Sequence, residues 1–411
     1  MSAGTPGWLA QTSATWHLMP AKAAFRERRE PNLPDDVHLT PSQTYGVLPQ
    51  AEFMARTGNA VVQNIQGQDR MKHVEPDDFI IHLRSFQGGI ERSSYAGKVS
   101  TAYTVLEPSR LVVPDYFRWL LKSDAYVQEL RTTTNQLRDG QSIKFRDFAK
   151  VPLPLPPSEE QRAIADYLDR ETARIDTLIE EQQCLIEMLR ERRAAVISSV
   201  LAPTDSWVRR RIKHIGETSL GKMLDAGRAV RDEDQPRPYV RAADVRADGS
   251  VNLENLNEML FSDAEMEVFD LRAGDILIIE GGATVGRPGF IFKSAPGIAF
   301  QKTVNRLRVG SQTDARFVYW SMLRLYEAAY YANHYGSVSF VHLTGEKLRE
   351  IELHLPPFDE QRAIAAYLDE QAAKIDTLIA ETERFIELAR ERRSALITAA
   401  VTGQIDVREM A

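Results

Sequence analysis

Gly281-Gly-Ala-Thr-Val-Gly286 has the outer spacing of a phosphate-cradling loop, the one glycine pattern in the chain that invites a nucleotide. Arg287-Pro288 stands where such a loop needs Lys followed by Ser or Thr, and the proline disfavours the helix that must begin there. A tight turn between strands is the plainer reading. Asp275 and Glu280 have a loose nuclease-like spacing, but Gly282 occupies the place of a catalytic lysine. Leu355-Pro-Pro-Phe358 would suit a loop that holds an amino group for methyl transfer, had Asn or Asp stood in place of Leu355. The eight histidines form no His-x-x-x-His or Cys/His cluster, so no metal is expected. No Gly-x-Ser-x-Gly nucleophile turn occurs either.

What survives is recognition chemistry. Polar and basic side chains crowd the segments that follow the strands: Arg84, Ser85, Gln87, Arg92, Ser93 and Lys98, then Arg138, Gln141, Lys144 and Arg146. A second set holds Thr284, Arg287, Gln301, Lys302 and Asn305, then Asn333, His334, Ser337, Ser339 and His342. These residue types donate to base edges and phosphates, which makes them candidate DNA contacts. Read singly, each is also what an ordinary solvated loop contains. The nearby aromatics Phe86, Tyr95, Tyr103, Tyr331 and Tyr335 read as core or loop anchors rather than base stackers.

The elements that must position these side chains run in parallel through two segments. Trp16 and Trp207 each open one, followed by basic residues. Asp77–Arg84 and Gly274–Glu280 read as strands, each followed by glycines, and 103–106 and 304–309 read as further strands. Amphipathic helices are expected from Tyr116 to about Leu130 and from Phe317 to about Ala332. A polar loop with Ser142-Ile-Lys-Phe145 or Ser337-Val-Ser-Phe340 follows, then a last strand. Residues 1–15 are small and polar and are expected to be loose.

Each segment then enters a long helix, and the two helices are copies. Residues 153–201 and 353–401 align without a gap at an offset of 200, with 28 of 49 positions identical. Pro156-Pro157 blocks backward extension, and Ser158 with Gln161 has the spacing of a capping box. In the second copy Phe358 replaces the serine, leaving Asp359 as the candidate cap. Apolar residues recur at heptad spacing: Leu168, Ile175, Leu189 and Val196 in one row, Leu178 and Leu185 in another. The second copy offers Leu368, Ile375, Ala389 and Leu396, then Leu378 and Phe385, with Ile179, Ile186, Ile379 and Ile386 widening the stripe. Gln182 and Thr382 interrupt matching rows. Such helices are expected to pair within the chain as an antiparallel coiled coil, a rod of roughly 63 Å.

The expected fold class is therefore α/β, with two α/β recognition domains separated by the two long helices. The division is 1–152 for the first domain, 153–202 for the first helix as spacer, 203–352 for the second domain, and 353–411 for the second helix and tail. The chain carries a net charge of −7, which argues against nucleic acid until it is mapped. Residues 1–150 hold 18 basic against 16 acidic residues and 202–352 hold 20 against 21, while 151–201 hold 6 against 10 and 353–411 hold 7 against 11. The acidity belongs to the helices, and the domains are free to present a DNA-binding face. The longest aliphatic run, Ile276–Ile279, is far too short for a membrane span, and no secretory leader is evident. A single cysteine, Cys184, forbids an internal disulfide and suits a reducing cytoplasm.

The doubled Leu-x-Leu-Pro-Pro-x-x-Glu-Gln-Arg-Ala-Ile-Ala entry with Ile-Asp-Thr-Leu-Ile, at 153–179 and 353–379, resembles the specificity subunits of type I restriction–modification systems. So does the tail Ala395-Leu-Ile-Thr-Ala-Ala-Val-Thr-Gly-Gln-Ile-Asp-Val407. The resemblance covers almost the whole chain. The Thr402-Gly403 element follows only the second helix, the first ending Val200-Leu-Ala-Pro203. The resemblance implies a non-catalytic chain whose two target recognition domains read the halves of a split, asymmetric sequence in double-stranded DNA. It implies that the rod fixes the gap and docks two methyltransferase subunits, with motor-nuclease restriction subunits joining them. S-adenosylmethionine would belong to the methyltransferase, ATP and magnesium to the motor nuclease, and no cofactor to this chain. A protein-binding scaffold and a fused enzyme are the rival readings.

Overall fold

The computed structural model describes residues 7–10, 12–13, 15–58, 71–132, 143–223, 233–335 and 342–410. The chain forms two compact units, one of residues 1–183 with 383–411, the other of residues 184–382. Each unit thus combines one α/β domain with one half of each long helix.

The first unit is built on a four-stranded antiparallel sheet in the order Phe25–Glu27, Thr104–Pro108, Phe79–Ile81, Glu91–Arg92. The second repeats the plan with Gly216–Leu220, Val304–Val309, Ile276–Ile279 and Pro288–Phe290. The inner strand is apolar on both faces, and Phe79–Ile81 and Ile276–Ile279 are fully buried. One face looks to the helices: Phe79 and Ile81 share a core with Tyr116 and Phe117, and Ile276 and Ile278 with Phe317 and Trp320.

The turn before this strand is the same in both units. Asp78 Oδ2 accepts from Glu75 N and Asp275 Oδ2 from Arg272 N, both at 2.8 Å. The residue before each carboxylate must be left-handed, and Gly274 (φ +88) does this where the other copy strains Asp77 (φ +73). Arg28 and Arg308 cover the buried carboxylates, each with its Nε at 2.7 Å.

Two elements differ from the sequence expectation. The amphipathic helix near residue 120 is two, Pro114–Leu120 and Asp124–Thr132, parted where the Ser123 hydroxyl bonds Leu120 O at 2.8 Å. Its counterpart breaks between Ala315–Glu327 and Tyr330–Tyr335, where Ala329 turns left-handed. Of the residues expected to be loose, 1–6, 11 and 14 lie outside the described residues, while Gly7–Leu9 forms a short turn, Leu9 is buried, and Trp8 packs edge-on to Tyr126.

Short antiparallel ribbons, His17–Pro20 with Pro152–Leu155 and Val208–Arg211 with Glu352–Leu355, lead into the long helices Ser158–Val200 and Phe358–Val401. Gln161 makes a different set of bonds from a capping box. It is buried, donates Nε2 to Pro156 O and Leu111 O, and accepts from Val113 N at 2.8 Å. Gln361 repeats this with Pro356 O and Asp314 N. A buried carboxamide is the right group here, because one side chain satisfies a donor and an acceptor together.

Within the first unit Ile164, Ala165 and Leu168 share a core with Ile397, Ala400 and Val401. Within the second, Ile197 and Leu201 meet Ala365, Leu368 and Ala372. Rising numbers on one helix meet falling numbers on the other, so the pairing is antiparallel. Leu168, Leu189, Leu368 and Ile375 are buried, and Ile175 and Leu396 half-buried, as the heptads predict. The second row is corrected. Leu185, Leu378 and Phe385 are exposed at 36%, 48% and 43%, and Leu178 is only half-buried, while Ile179 and Ile186 are buried in their place. A heptad seam advances by three or four residues, so apolar side chains at both 178 and 179 fit it from Ile175, and the step of four is the one used.

Candidate nucleic-acid interface

At the end of the central strand of the second unit, the segments of Ala242, Glu280 and Gln301 meet on Thr303. Its hydroxyl accepts from Ala242 N at 3.1 Å and donates to Gln301 at 2.9 Å, while its carbonyl accepts from Glu280 N at 2.9 Å. Leu343 N bonds Glu280 O, which brings His342 within 3.5 Å of the Glu280 carboxylate. This frame turns Gln301 inwards and leaves Lys302 and His342 exposed. Thr284 and Arg287 are half-buried beside it, the Arg287 guanidinium 5.8 Å from the Tyr326 ring.

The corresponding end in the first unit is organised by a buried histidine. Burial, with Lys122 and Arg84 nearby, lowers the His82 pKa to about 4, so the ring is neutral. The ring Nδ1 accepts from Arg84 N, and the His82 backbone N–H donates to the Ser85 hydroxyl oxygen. Ser85 is therefore fully buried in turn-making and is no surface contact, whereas Arg84 and Gln87 are exposed. Gln43 steadies the turn by donating to Arg84 O at 2.8 Å.

Arg92 does not join this group. It pairs with Phe79 at the start of the strand and is held by Asp77 and Asp115. Lys98 lies on the separate ribbon Lys72–Val74 with Gly97–Val99, and Lys144 and Arg146 are exposed on the turn before the last strand. Gln141, Ser337 and Ser339 lie outside the described residues. Among the described residues no group of three or more His, Cys, Asp or Glu could hold a metal ion.

A second constellation, absent from the sequence expectations, ties each domain to its helices. Trp119 Nε1 donates to Asp169 at 2.8 Å, and Trp320 Nε1 to Asp369 at 2.8 Å. Arg118 and Arg316 bond the same carboxylates. From the other long helix Arg393 lies 5.8 Å from the Trp119 ring and bonds Asp176, while Arg193 lies 5.7 Å from the Trp320 ring and pairs with Asp376. In the first unit this joint borders a cleft of 580 Å³ lined by Lys122, Glu91 and Ile397 among others.

The model of the family described as the type I restriction modification DNA specificity domain matches residues 38–188 and 204–387, one match over each domain and its following helix. The chain belongs to this family. It is similar to the StySPI specificity subunit of a type I restriction enzyme from Salmonella potsdam, at 23% identity over 81% of this chain and 75% of that protein. The EcoKI specificity subunit of Escherichia coli strain K12 is 22% identical over the same shares. The fold of this chain is similar to that of a chain solved in work on complex assembly and conformational transition of the type I R-M system, with TM-score 0.75 and 16% identity over 96% of this chain and 99% of that one. The HsdS subunit from Thermoanaerobacter tengcongensis gives 0.58 and 16% over 96% and 98%. The chain is thus a DNA specificity subunit, and Arg84, Gln87, Lys302 and His342 are exposed at the strand ends of its two domains.

Proposed function

We propose that this specificity subunit reads a split, asymmetric target in double-stranded DNA, one half per recognition domain, and carries methyltransferase and restriction subunits to it without catalysis of its own. The observation that carries the reading is a shared frame with unlike contact groups. The same four-strand order and the same Asp turn support Leu83-Arg84 in one unit and Glu280-Gly281 in the other. One frame with two chemistries suits two different half-sites, since base edges are discriminated by the donors and acceptors set against them.

The apolar side chains left outside the seam suit partner docking. Phe385 and Leu388 are exposed in the first unit, and Leu185, Met188 and Leu378 in the second. One such patch per unit supports two methyltransferase subunits, which would bring S-adenosylmethionine, while ATP and magnesium would enter with the motor nuclease. Among the described residues no helix is long and apolar enough to cross a membrane. On this reading the complex would act in the cytoplasm, where its DNA substrate lies.

The test is modified-base sequencing of DNA from cells that express the chain with a methyltransferase partner. Methyl-adenine confined to one split motif, and lost without this chain, is the expected result. Exchange of residues 203–352 for those of another subunit should alter one half of the motif only. An active methyltransferase whose pattern ignores this chain would overturn the reading and leave a protein scaffold.

A further inference from the structure

We propose that Trp119 and Trp320 are positioning residues that set the tolerated gap between the half-sites, by locking each recognition domain onto the helices of its own unit. The proposal rests on the split-target reading. A reader with two domains discriminates gap length only if each domain is held firmly on its support. The long helices supply length, but the joint between domain and helix decides how much each domain swings.

That joint is built the same way twice from unlike sequence. The indole N–H reaches a carboxylate one turn after the buried seam opens, Asp169 or Asp369, at 2.8 Å in both units. An arginine of the domain bonds the same carboxylate, yet Arg118 immediately precedes its tryptophan whereas Arg316 precedes its own by four residues. An arginine of the opposite helix, Arg393 or Arg193, then lies against the ring and is anchored by Asp176 or Asp376. The tryptophan therefore touches both helices and its own domain at once. Two diverged domains that reach one contact set by different spacings are constrained in orientation, not merely in burial. Charge-assisted hydrogen bonds and a ring between cations are directional, which is what an angular lock requires and what apolar packing alone does not supply.

The experiment uses the complete complex with methyltransferase, on duplexes that carry its target with the cognate gap and with one base pair more or fewer. Trp119→Phe and Trp320→Phe should each raise methylation at the altered gaps relative to the cognate one about tenfold, the factor equivalent to about 1.4 kcal/mol. Half-site sequence preference should not change. The double variant should multiply the two effects, because the joints share no residue. Asp176→Arg and Arg393→Asp, at partly exposed positions, should each loosen the gap, and the charge-swapped pair should restore it. Soluble variants with the wild-type gap profile would overturn the proposal. A wild-type complex that methylates no split target would instead remove the reading beneath it.

Discussion

Arg393 grips Asp176 with two hydrogen bonds, Nε at 2.8 Å and Nη2 at 3.1 Å, across the antiparallel helices of the first unit. Arg193 and Asp376 repeat the pair in the second unit at 3.3 Å, with the helices exchanged. Asp176 is 47% exposed and Arg393 32%, so solvent screens much of their attraction. Asp176→Asn should cost less than about 1 kcal/mol in urea unfolding. A larger loss would mean that the pair holds the helices together rather than orienting what rests on them.

Ile186 and Leu185 are neighbours with opposite fates. Ile186→Ala should destabilise by about 2–4 kcal/mol, the cost of a cavity at a buried seam. Leu185→Ala should change stability by less than about 1 kcal/mol. Thermal and urea unfolding of the two variants would show the reverse order if Leu178 and Leu185 formed the seam. Leu185→Asp should leave the fold intact and weaken methyltransferase binding, which analytical ultracentrifugation can read.

Gln161 is buried between one backbone donor, Val113 N, and two backbone acceptors, Leu111 O and Pro156 O. Gln161→Leu keeps the volume but leaves Val113 N and Pro156 O without their partner, at a cost of about 3 kcal/mol. The local signature is decisive: hydrogen exchange should accelerate at Val113 and leave Asp314, which Gln361 serves, untouched. Unchanged protection at Val113 would show that water or a neighbour replaces the carboxamide.

The repeat was legible because an offset of 200 aligns proline, carboxamide and seam residues without a gap. The choice between residues 178 and 179 was not legible, since two adjacent apolar positions satisfy the same heptad and only packing selects one. The tryptophan joints left no common spacing, as Arg118 and Arg316 stand at different distances from their indoles. A shared aromatic residue in the helix after the fourth strand, with a Tyr-Leu-Asp in each long helix, was the signal available. Loop polarity pointed to the strand ends, but it could not tell Arg84, which faces solvent, from Ser85, which turns inwards to close the strand. Likewise Gln301 and Lys302 are equally polar, and only the hydrogen bond to Thr303 separates them.

His73 sits between Asp36 at 2.8 Å and Glu75 at 2.9 Å. Burial alone would lower its pKa, but hydrogen bonds to both carboxylates raise it overall. A raised folded pKa stabilises fully below the unfolded value of about 6.5 and is lost as pH climbs through the folded value. His82 acts in the opposite sense: neutral in the fold down to about 4, it costs stability as pH falls below its unfolded value. Histidine NMR titration should show one ring that protonates above the ordinary value and one that resists until about 4. His73→Gln should flatten the alkaline side of the stability profile and leave the acid side. If both rings titrated together near the ordinary histidine value, neither environment would be as described.

Lys302 and Arg84 are exposed at corresponding strand ends, and no ion-pair partner accompanies either side chain among the described residues. Phosphate contacts release counterions, so Lys302→Ala should weaken duplex binding at every sequence and lower the salt slope by about 1. A base contact behaves differently, relaxing preference at one position with little change in the slope. Arg84→Ala should affect only the half-site read by the first domain, whichever class it falls in. Ser85→Ala is the control: it removes the acceptor of His82 N, lowers stability and leaves DNA affinity per folded molecule unchanged. Binding measured against salt on duplexes scrambled in one half at a time separates these cases. Loss of affinity from Ser85→Ala equal to that from Arg84→Ala, in folded protein, would place the DNA on the inner side of the turn and refute the assignment of its outer face.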